Sequence, residues 1–256
     1  MMPRISDKAM IEDGARIAPD VRIGPFTYVG AEVDIAPGCV IANNVTLAGK
    51  TRIGAGTRVF PLAVIGTAEN GGASGECVIG EACAIREMVA VHASSGRPTR
   101  LGLDNLVMIG SVIGAGAAVG EHGIFANCTH IGEGAVVEDY VRSSAFPVVS
   151  PGVRVGAYTF INGYACVTRD APPFAIVEGA PARVRGVNTE NLKRCGFGDQ
   201  DIRALKEAFR ELYNGNRRDV SPDAYSALEG REDLNPHVRR LLEAIRPSGE
   251  EGDPDA

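Results

Sequence analysis

A large aliphatic residue recurs at every sixth position from Ile5 to Val167, with two slips in register. Of the 26 positions that follow this period, only Ser143 is polar. The next residue is often Gly or Ala, and the residue two positions earlier is usually small. A hexapeptide period of this kind predicts a parallel β-helix.

The period has a simple physical reason. Side chains alternate across a strand, so three short strands joined by tight turns form a coil of about 18 residues, with successive coils about 4.8 Å apart. We therefore predict a mainly β protein, a parallel β-helix of about nine coils over residues 1–176. A small C-terminal α-helical domain should follow over 177–246, and the acidic residues 247–256 should form a disordered tail.

The end of the column is predicted from proline. Pro172 and Pro173 cannot donate ladder hydrogen bonds, so we expect them to stop the stacking of coils. Beyond them the hydrophobic period becomes helical, with predicted N-caps at Asp199, Ser221 and Asn235.

The two slips mark insertions into the repeat. The first, in the Gly-rich stretch TAENGGASGE, adds two residues to two hexads between Ile65 and Ile79. The second, in HASSGRPTRL, adds four residues between Val91 and Leu101. Loops on a rigid repeat scaffold often carry function, so we predict that both form the rim of a site; simple linkers are the alternative.

The overall composition excludes several classes of function. A net charge of −6 without a Lys/Arg run argues against nucleic-acid binding and against a membrane-surface helix. No apolar stretch is long enough to span a membrane, and the first residues lack the apolar core of a signal peptide. The six cysteines show no CxxC spacing, and Cys39, Cys77 and Cys83 occupy small inward positions. We expect buried thiols and a cytoplasmic protein.

Three stretches of the chain carry a resemblance to a known family. LDNLVMIGSVIGAGAAVGEHGIFANCTHIG, RDAPPFAIVEG and GVNTENLKRCGF resemble the UDP-N-acetylglucosamine 3-O-acyltransferases of lipid A biosynthesis. The hexapeptide repeat alone is shared by many acyl- and nucleotidyltransferases, whereas the last stretch is much more specific. The resemblance extends to about residue 215.

This resemblance implies a left-handed β-helix and a homotrimer with active sites between neighbouring prisms. Members transfer a hydroxyacyl chain from acyl carrier protein to the sugar 3-hydroxyl of UDP-N-acetylglucosamine, without a metal or other cofactor. A histidine acts as general base on that hydroxyl, and a backbone amide helps to hold the oxyanion.

Some of the family's substrate-binding residues are present. Asn188, Glu190 and Arg194 match positions that contact the UDP-sugar, and His92 matches a histidine of the acceptor region. A neighbouring family arginine is replaced by Cys195.

The family's catalytic residues are absent from their usual positions. The catalytic histidine aligns with Ala115 and its acidic neighbour with Gly116; three further active-site histidines align with Val112, Gly134 and Ser150. The loop that brings an Asp and a Lys to the sugar is shortened to ENGGASGE. Loss of a general base typically lowers the rate by about 10²- to 10⁴-fold.

The period itself suggests a displaced site. His130 and Glu133 follow Val112 and Ala115 by one coil, so they should stand directly above the vacated positions. We predict His130 as the base of this site, with Glu133 or another carboxylate as the group that orients it. An ordinary surface histidine is the alternative.

Three functional hypotheses follow. The first is acyl transfer from acyl carrier protein to UDP-N-acetylglucosamine or a related UDP-sugar. The second is a catalytically silent trimeric homologue that binds UDP-sugar or acyl carrier protein. The third is an acyltransferase acting on a different nucleotide sugar.

Overall fold

The computed structural model describes residues 4–68, 75–213 and 219–246 of the 256-residue chain. Its main body is a left-handed parallel β-helix of about nine turns, followed by C-terminal helices, as predicted. The disorder predicted for residues 247–256 falls outside the described residues.

Most strands are two residues long and alternate with tight turns. In chain order they are β1 (Met10–Ile11), β2 (Arg16–Ile17), β3 (Arg22–Ile23), β4 (Tyr28–Val29), β5 (Asp34–Ile35), β6 (Val40–Ile41), β7 (Thr46–Leu47), β8 (Lys50–Ile53), β9 (Arg58–Val59), β10 (Val64–Ala68), β11 (Glu76–Ile79), β12 (Ala84–Ile85), β13 (Ala90–Ala93), β14 (Thr99–Leu101), β15 (Leu106–Val107), β16 (Val112–Ile113), β17 (Ala118–Val119), β18 (Ile124–Phe125), β19 (His130–Ile131), β20 (Val136–Val137), β21 (Arg142–Ser143), β22 (Val148–Val149), β23 (Arg154–Val155), β24 (Phe160–Ile161), β25 (Cys166–Val167), β26 (Ala175–Glu178) and β27 (Arg183–Val187). The helices are α1 (Thr189–Arg194), α2 (Asp199–Leu212), α3 (Pro222–Glu229) and α4 (Pro236–Ala244).

Every third strand lies in the same sheet, so the prism has three walls. The first wall runs from β1 to β25, the second from β2 to β23, and the third from β3 to β24 and on to β26 and β27. The inward residue is partly buried in β1 and β2 and buried from β3 to β25, and it is aliphatic or aromatic in all of these strands except β21, so one continuous apolar core runs along the column.

Register confirms the 18-residue coil. On the first wall Val112 pairs with His130, which pairs in turn with Val148. The predicted length of the first insertion is wrong. Ile53 pairs with Ile79, a step of 26 residues, so the insertion adds eight residues to one coil rather than two residues to two hexads. The second insertion adds four residues, as predicted, because Ala90 pairs with Val112.

Ser143, the one polar residue of the period, replaces a backbone hydrogen bond. The ladder between β18 and β21 pairs Ile124 with Arg142 and goes no further. The Ala126 N–H donates to the Ser143 hydroxyl oxygen at 3.0 Å instead, and that hydroxyl lies 2.8 Å from the hydroxyl of Thr129. The buried hydroxyl therefore satisfies a donor that would otherwise pair with a backbone carbonyl of the ladder.

The prediction that Pro172 and Pro173 stop the stacking is wrong. Strand β26, which follows them, still pairs in parallel with β24, and β27 then adds to it in the antiparallel direction. The two prolines lie in a turn between Ala171, which bridges to Val155, and β26. In this turn no ladder hydrogen bond requires an N–H group from either proline. The third wall therefore continues past the boundary predicted at residue 176.

Two of the three predicted helix caps are confirmed. The side chains of Ser221 and Asn235 each accept a backbone N–H at the start of α3 and α4. The cap predicted at Asp199 is wrong, because Asp199 is already the first residue of α2 and Gly198 holds the cap position. The carboxylate still lies in the first turn, where it interacts favourably with the helix dipole.

A stack of rings along one corner of the prism joins the column to the C-terminal helices. Tyr140 stacks on His122 below and on Tyr158 above, with ring centroids 4.8 and 5.0 Å apart. Phe174 continues the stack, and Phe197 packs edge-on against Tyr158 at 5.0 Å. The helical segment is thereby fixed to the upper coils.

The inward cysteines are buried, as predicted. Burial raises the pKa of Cys77 to about 12 and that of Cys83 to about 11. Both thiols therefore stay protonated at neutral pH and serve as small core residues. Among the helices in the described ranges, none has the length and apolar character needed to cross a membrane.

The role of Ser143 can be tested by restoring the aliphatic residue that the period predicts. We expect Ser143→Val to lower the free energy of unfolding by about 1–3 kcal/mol, because it leaves a buried N–H without an acceptor. Urea unfolding measures the effect, with Ser143→Thr, which keeps the hydroxyl, as the matched control. A valine variant as stable as the parent would show that the regular ladder bond forms without the hydroxyl.

Candidate functional site

The corner between the first and second walls contains Ala115, where the resemblance places the catalytic histidine. Ala115 is only 8 % exposed, whereas Glu133, one coil above at the same corner, is exposed. Residues 94–98, from the second insertion, lie against this corner and account for the difference: a Cβ built on Gly116 would lie 3.4 Å from the Arg97 carbonyl. We call residues 94–98 the strap.

Thr99 fixes the end of the strap. Its buried hydroxyl donates to the His92 carbonyl at 2.6 Å and accepts from the Gly116 N–H at 2.8 Å. The backbone beside Ala115 is therefore tied to both ends of the second insertion. This arrangement leaves little room for a larger side chain at Ala115.

The two insertions meet beside His92. Ser94 forms an antiparallel bridge with Glu76, and His92 lies opposite Thr67, where the ladder between β10 and β13 shifts register. The His92 Nδ1 atom is buried and has no hydrogen-bond partner in the described parts of the chain. The structure therefore brings His92 and the strap together, and their role as the rim of a site stays a prediction. Residues 69–74 of the first insertion lie outside the described ranges.

His130 and Glu133 stand where the period places them. His130 points outward from β19 directly above Val112, and the Gly134 N–H donates to the Ala115 carbonyl at 2.9 Å. Both His130 and Glu133 are exposed. Both side chains are therefore accessible, but among the described contacts no hydrogen bond joins them within one protomer.

Asn188 has a structural role at the start of α1. It is 5 % exposed, its side-chain oxygen caps the helix by accepting the Asn191 N–H, and its amide donates to the Tyr158 carbonyl at 2.8 Å. A contact between Asn188 and a UDP-sugar stays a prediction. Glu190 and Arg194 are exposed on the same helix and are free to reach a ligand.

Arg194 lies at the upper end of a groove on the third wall. The groove has a volume of about 820 Å³. Its floor is the outward column of the wall, made by Arg58, Ala84, Leu106, Ile124 and Arg142. Its rim includes Asp104, His122, Tyr140, Tyr158 and Cys195. We call this the third-wall groove.

Sequence reasoning missed the third-wall groove, although one signal was present. The residue before each aliphatic position points outward, and reading these residues along the third wall gives the floor directly. The position of α1 against that floor was not predictable, because it depends on packing between Phe197 and the ring stack.

Two polar side chains of the groove, those of His122 and Cys195, lie close to charged groups. The His122 imidazole lies 2.9 Å from the Asp104 carboxylate. Burial raises the pKa of the Cys195 thiol, and the nearby Arg142 guanidinium partly offsets this. The Arg142 Nε atom is itself buried and has no hydrogen-bond partner in the described structure.

The predicted site residues fall into two separate regions. His92, His130 and Glu133 lie on the first wall or its corner with the second. Asn188 caps α1, Glu190 and Arg194 lie on it, and α1 ends at the third-wall groove. One protomer does not bring the two regions together. Across the residues that the structure describes, no group of three or more His, Cys, Asp or Glu side chains is placed to hold a metal ion.

Two parts of the sequence match known family models. Residues 170–252 match the family model for the second domain of UDP-N-acetylglucosamine O-acyltransferase, and residues 14–49 match the bacterial transferase hexapeptide model.

Several solved structures share the whole fold. LpxA from Acinetobacter baumannii is 26 % identical with a TM-score of 0.87, covering 95 % of this chain and 96 % of that one. The UDP-N-acetylglucosamine acyltransferase from Campylobacter jejuni is 25 % identical with a TM-score of 0.85, covering 93 % and 94 %. The Arabidopsis UDP-N-acetylglucosamine acyltransferase is 27 % identical with a TM-score of 0.83, covering 97 % and 98 %. The comparisons thus confirm that the chain resembles the UDP-N-acetylglucosamine O-acyltransferase family in its fold and in the sequence of its C-terminal segment.

Proposed function

We propose that the protein transfers an acyl group from acyl-acyl carrier protein to a sugar hydroxyl of UDP-N-acetylglucosamine or a related UDP-sugar. The reaction would be an early step of lipid A biosynthesis in the cytoplasm. The observation that carries this proposal is the likeness to UDP-N-acetylglucosamine acyltransferases over more than nine-tenths of the chain. A shared fold alone would not suffice, because one fold supports many reactions.

In the proposed reaction His130 is the general base. Its imidazole takes the proton of the sugar hydroxyl as the oxygen attacks the thioester carbonyl. The C–S bond then breaks, and the imidazolium gives its proton to the departing thiolate of the carrier. The Glu133 carboxylate would orient the imidazolium. Support comes from the position of both side chains, exposed and one coil above the corner at Ala115.

The substrate would be held by His92 near the acceptor hydroxyl and by Asn188, Glu190 and Arg194 near the nucleotide. His92 is supported by its buried, unpartnered Nδ1 atom. Because the first-wall and α1 regions are separate within one protomer, a complete site on this plan requires a neighbouring protomer.

We propose a homotrimer, because a complete site requires residues from a neighbouring protomer. A ridge of exposed apolar side chains follows the corner between the third and first walls, a surface that a neighbouring copy would cover. Its members are Phe26, Leu62, Met88, Phe146 and Tyr164. The two upper rings, Phe146 and Tyr164, stack at 5.2 Å.

A catalytically silent homologue that binds UDP-sugar or acyl carrier protein is the second candidate. The observation that favours it is the strap, which covers the corner at Ala115 and leaves no catalytic side chain there. Mass spectrometry after incubation with UDP-N-acetylglucosamine and acyl-acyl carrier protein separates the two. Acylated UDP-N-acetylglucosamine supports transfer, and binding without product supports the silent homologue. If only another UDP-sugar is acylated, that sugar is the acceptor.

If His130 is the general base, its removal should greatly slow acyl transfer. We expect His130→Ala to lower the rate of acyl transfer by about 10²- to 10⁴-fold, because a positioned base contributes that much to a proton transfer. Product formation measured by mass spectrometry gives the rate. Thr46→Ala, an outward residue lower on the same wall, is the control and should retain full activity. An unchanged rate for His130→Ala would rule out the displaced base.

The strap predicts that a histidine at Ala115 does not restore the family's site. We expect Ala115→His to leave acyl transfer no faster and to lower the free energy of unfolding by about 1–3 kcal/mol, because the corner is already filled. Thermal unfolding and the transfer assay measure both effects. Glu133→His, at the exposed position one coil above, should be tolerated in the unfolding assay. Faster transfer by Ala115→His would show that the strap moves aside.

A further inference from the structure

The third-wall groove is cationic in a protein whose net charge is −6. Three guanidinium groups line it, those of Arg58, Arg142 and Arg194, and none of them has an ion-pair partner in the described structure. Its lining residues include one carboxylate, Asp104, which lies 2.9 Å from the His122 ring, so the guanidinium groups outnumber the carboxylates three to one. The groove therefore carries an excess of positive charge over its lining carboxylate.

Arg142 is the most constrained of the three. It points outward from β21, between Ile124 below and Phe160 above, so its neighbours in the column are apolar. Its Nε atom is buried and lacks an acceptor in the described parts of the chain. A buried donor without an acceptor is unfavourable, and an anion bound in the groove would satisfy it.

Arg194 reaches the same end of the groove. It is the last residue of α1, and the next residue, Cys195, is close enough to Arg142 to feel its charge. Two guanidinium groups therefore stand at the upper end of the groove. Guanidinium binds phosphate well because its planar set of donors matches the phosphate oxygens.

The rest of the groove is long and mostly neutral. Arg58 lies four ladder steps below Arg142, about 19 Å away at about 4.8 Å per step. Between them the floor consists of Ala84, Leu106 and Ile124. This shape suits an elongated ligand with a charged group at the upper end and an uncharged body along the floor.

We propose that the third-wall groove binds the phosphate group of an organic phosphate ester through Arg142 and Arg194, with the body of the ligand along the apolar floor. The phosphate could belong to a nucleoside diphosphate or to the pantetheine phosphate arm of an acyl carrier protein. The inference deepens the proposed function and rests on it for this choice of ligands. It assigns a binding role to Arg142, which the resemblance does not include among the substrate contacts.

Isothermal titration calorimetry at low ionic strength tests the proposal on the full-length chain. The probes are UDP, uridine, inorganic pyrophosphate and 4′-phosphopantetheine. We expect a phosphate-bearing probe to bind and Arg142→Gln to weaken its binding at least about 10-fold, the usual effect of losing a charge-assisted hydrogen bond. Arg142→Lys, which keeps the charge but not the planar fork, should lie between the two.

Two further variants test where in the groove the phosphate binds. Arg22→Gln changes an outward arginine of the same column that lies outside the groove, and it should bind like the parent. Arg58→Gln should weaken binding less than Arg142→Gln, because Arg58 stands at the far end. Circular dichroism and thermal unfolding confirm that each variant is folded.

The outcomes divide clearly. Binding of UDP and pyrophosphate assigns the groove to a diphosphate, and binding of 4′-phosphopantetheine assigns it to the carrier arm; both support the proposal. Failure of every phosphate probe to bind, or equal binding by Arg142→Gln and the parent, overturns it. If binding depends on Arg142 but no acyl transfer occurs, the proposed function is wrong and this inference stands. If acyl transfer occurs but Arg142→Gln does not weaken binding of any phosphate probe, this inference is wrong and the proposed function stands.

Discussion

Successive coils are held together by parallel ladders in which, away from the insertions and the upper end, each residue pairs with the one 18 positions later. This constraint determines how the chain accommodates everything else. The two insertions add eight and four residues, yet the strands on either side stay paired. Where the third wall departs from the pattern beside Ser143, a hydroxyl replaces the missing acceptor. Extra chain is therefore displaced outward, and the apolar column remains continuous.

The backbone at the corners between walls adopts a conformation that is unfavourable in free energy, and stacking of the corner side chains offsets part of this cost. His122, Tyr140 and Tyr158 all have φ near +60°, a conformation that costs a non-glycine residue roughly 1–2 kcal/mol. Their rings stack on one another, and aromatic pairs of this kind contribute about 0.5–1.5 kcal/mol each beyond burial. The same stack receives Phe197, which sets the position of α1 and so brings Arg194 to the third-wall groove. A local strain at the corner is thus linked to the geometry of the candidate ligand site.

Much of the fold could be predicted from the sequence, because the inward aliphatic residues report the coil directly. The same period placed His130 above Val112 correctly. The errors concern features that the period does not encode. Pro172 and Pro173 are compatible with continued stacking because they occupy a turn, which a residue count alone does not show. The strap over Ala115 and the groove around Arg142 depend on contacts between distant segments, so only the three-dimensional structure reveals them.

The antiparallel strand β27 has a consequence for the upper end of the column. A column of parallel strands ends in a row of unpaired backbone groups, onto which another column could add. Here β27 covers the upper edge of the third wall in the reverse direction. On the first wall, the N–H of Cys166 donates to the Gly179 carbonyl and its own carbonyl accepts from the Ala182 N–H. On these two walls, another column therefore cannot continue the parallel ladder at the upper end.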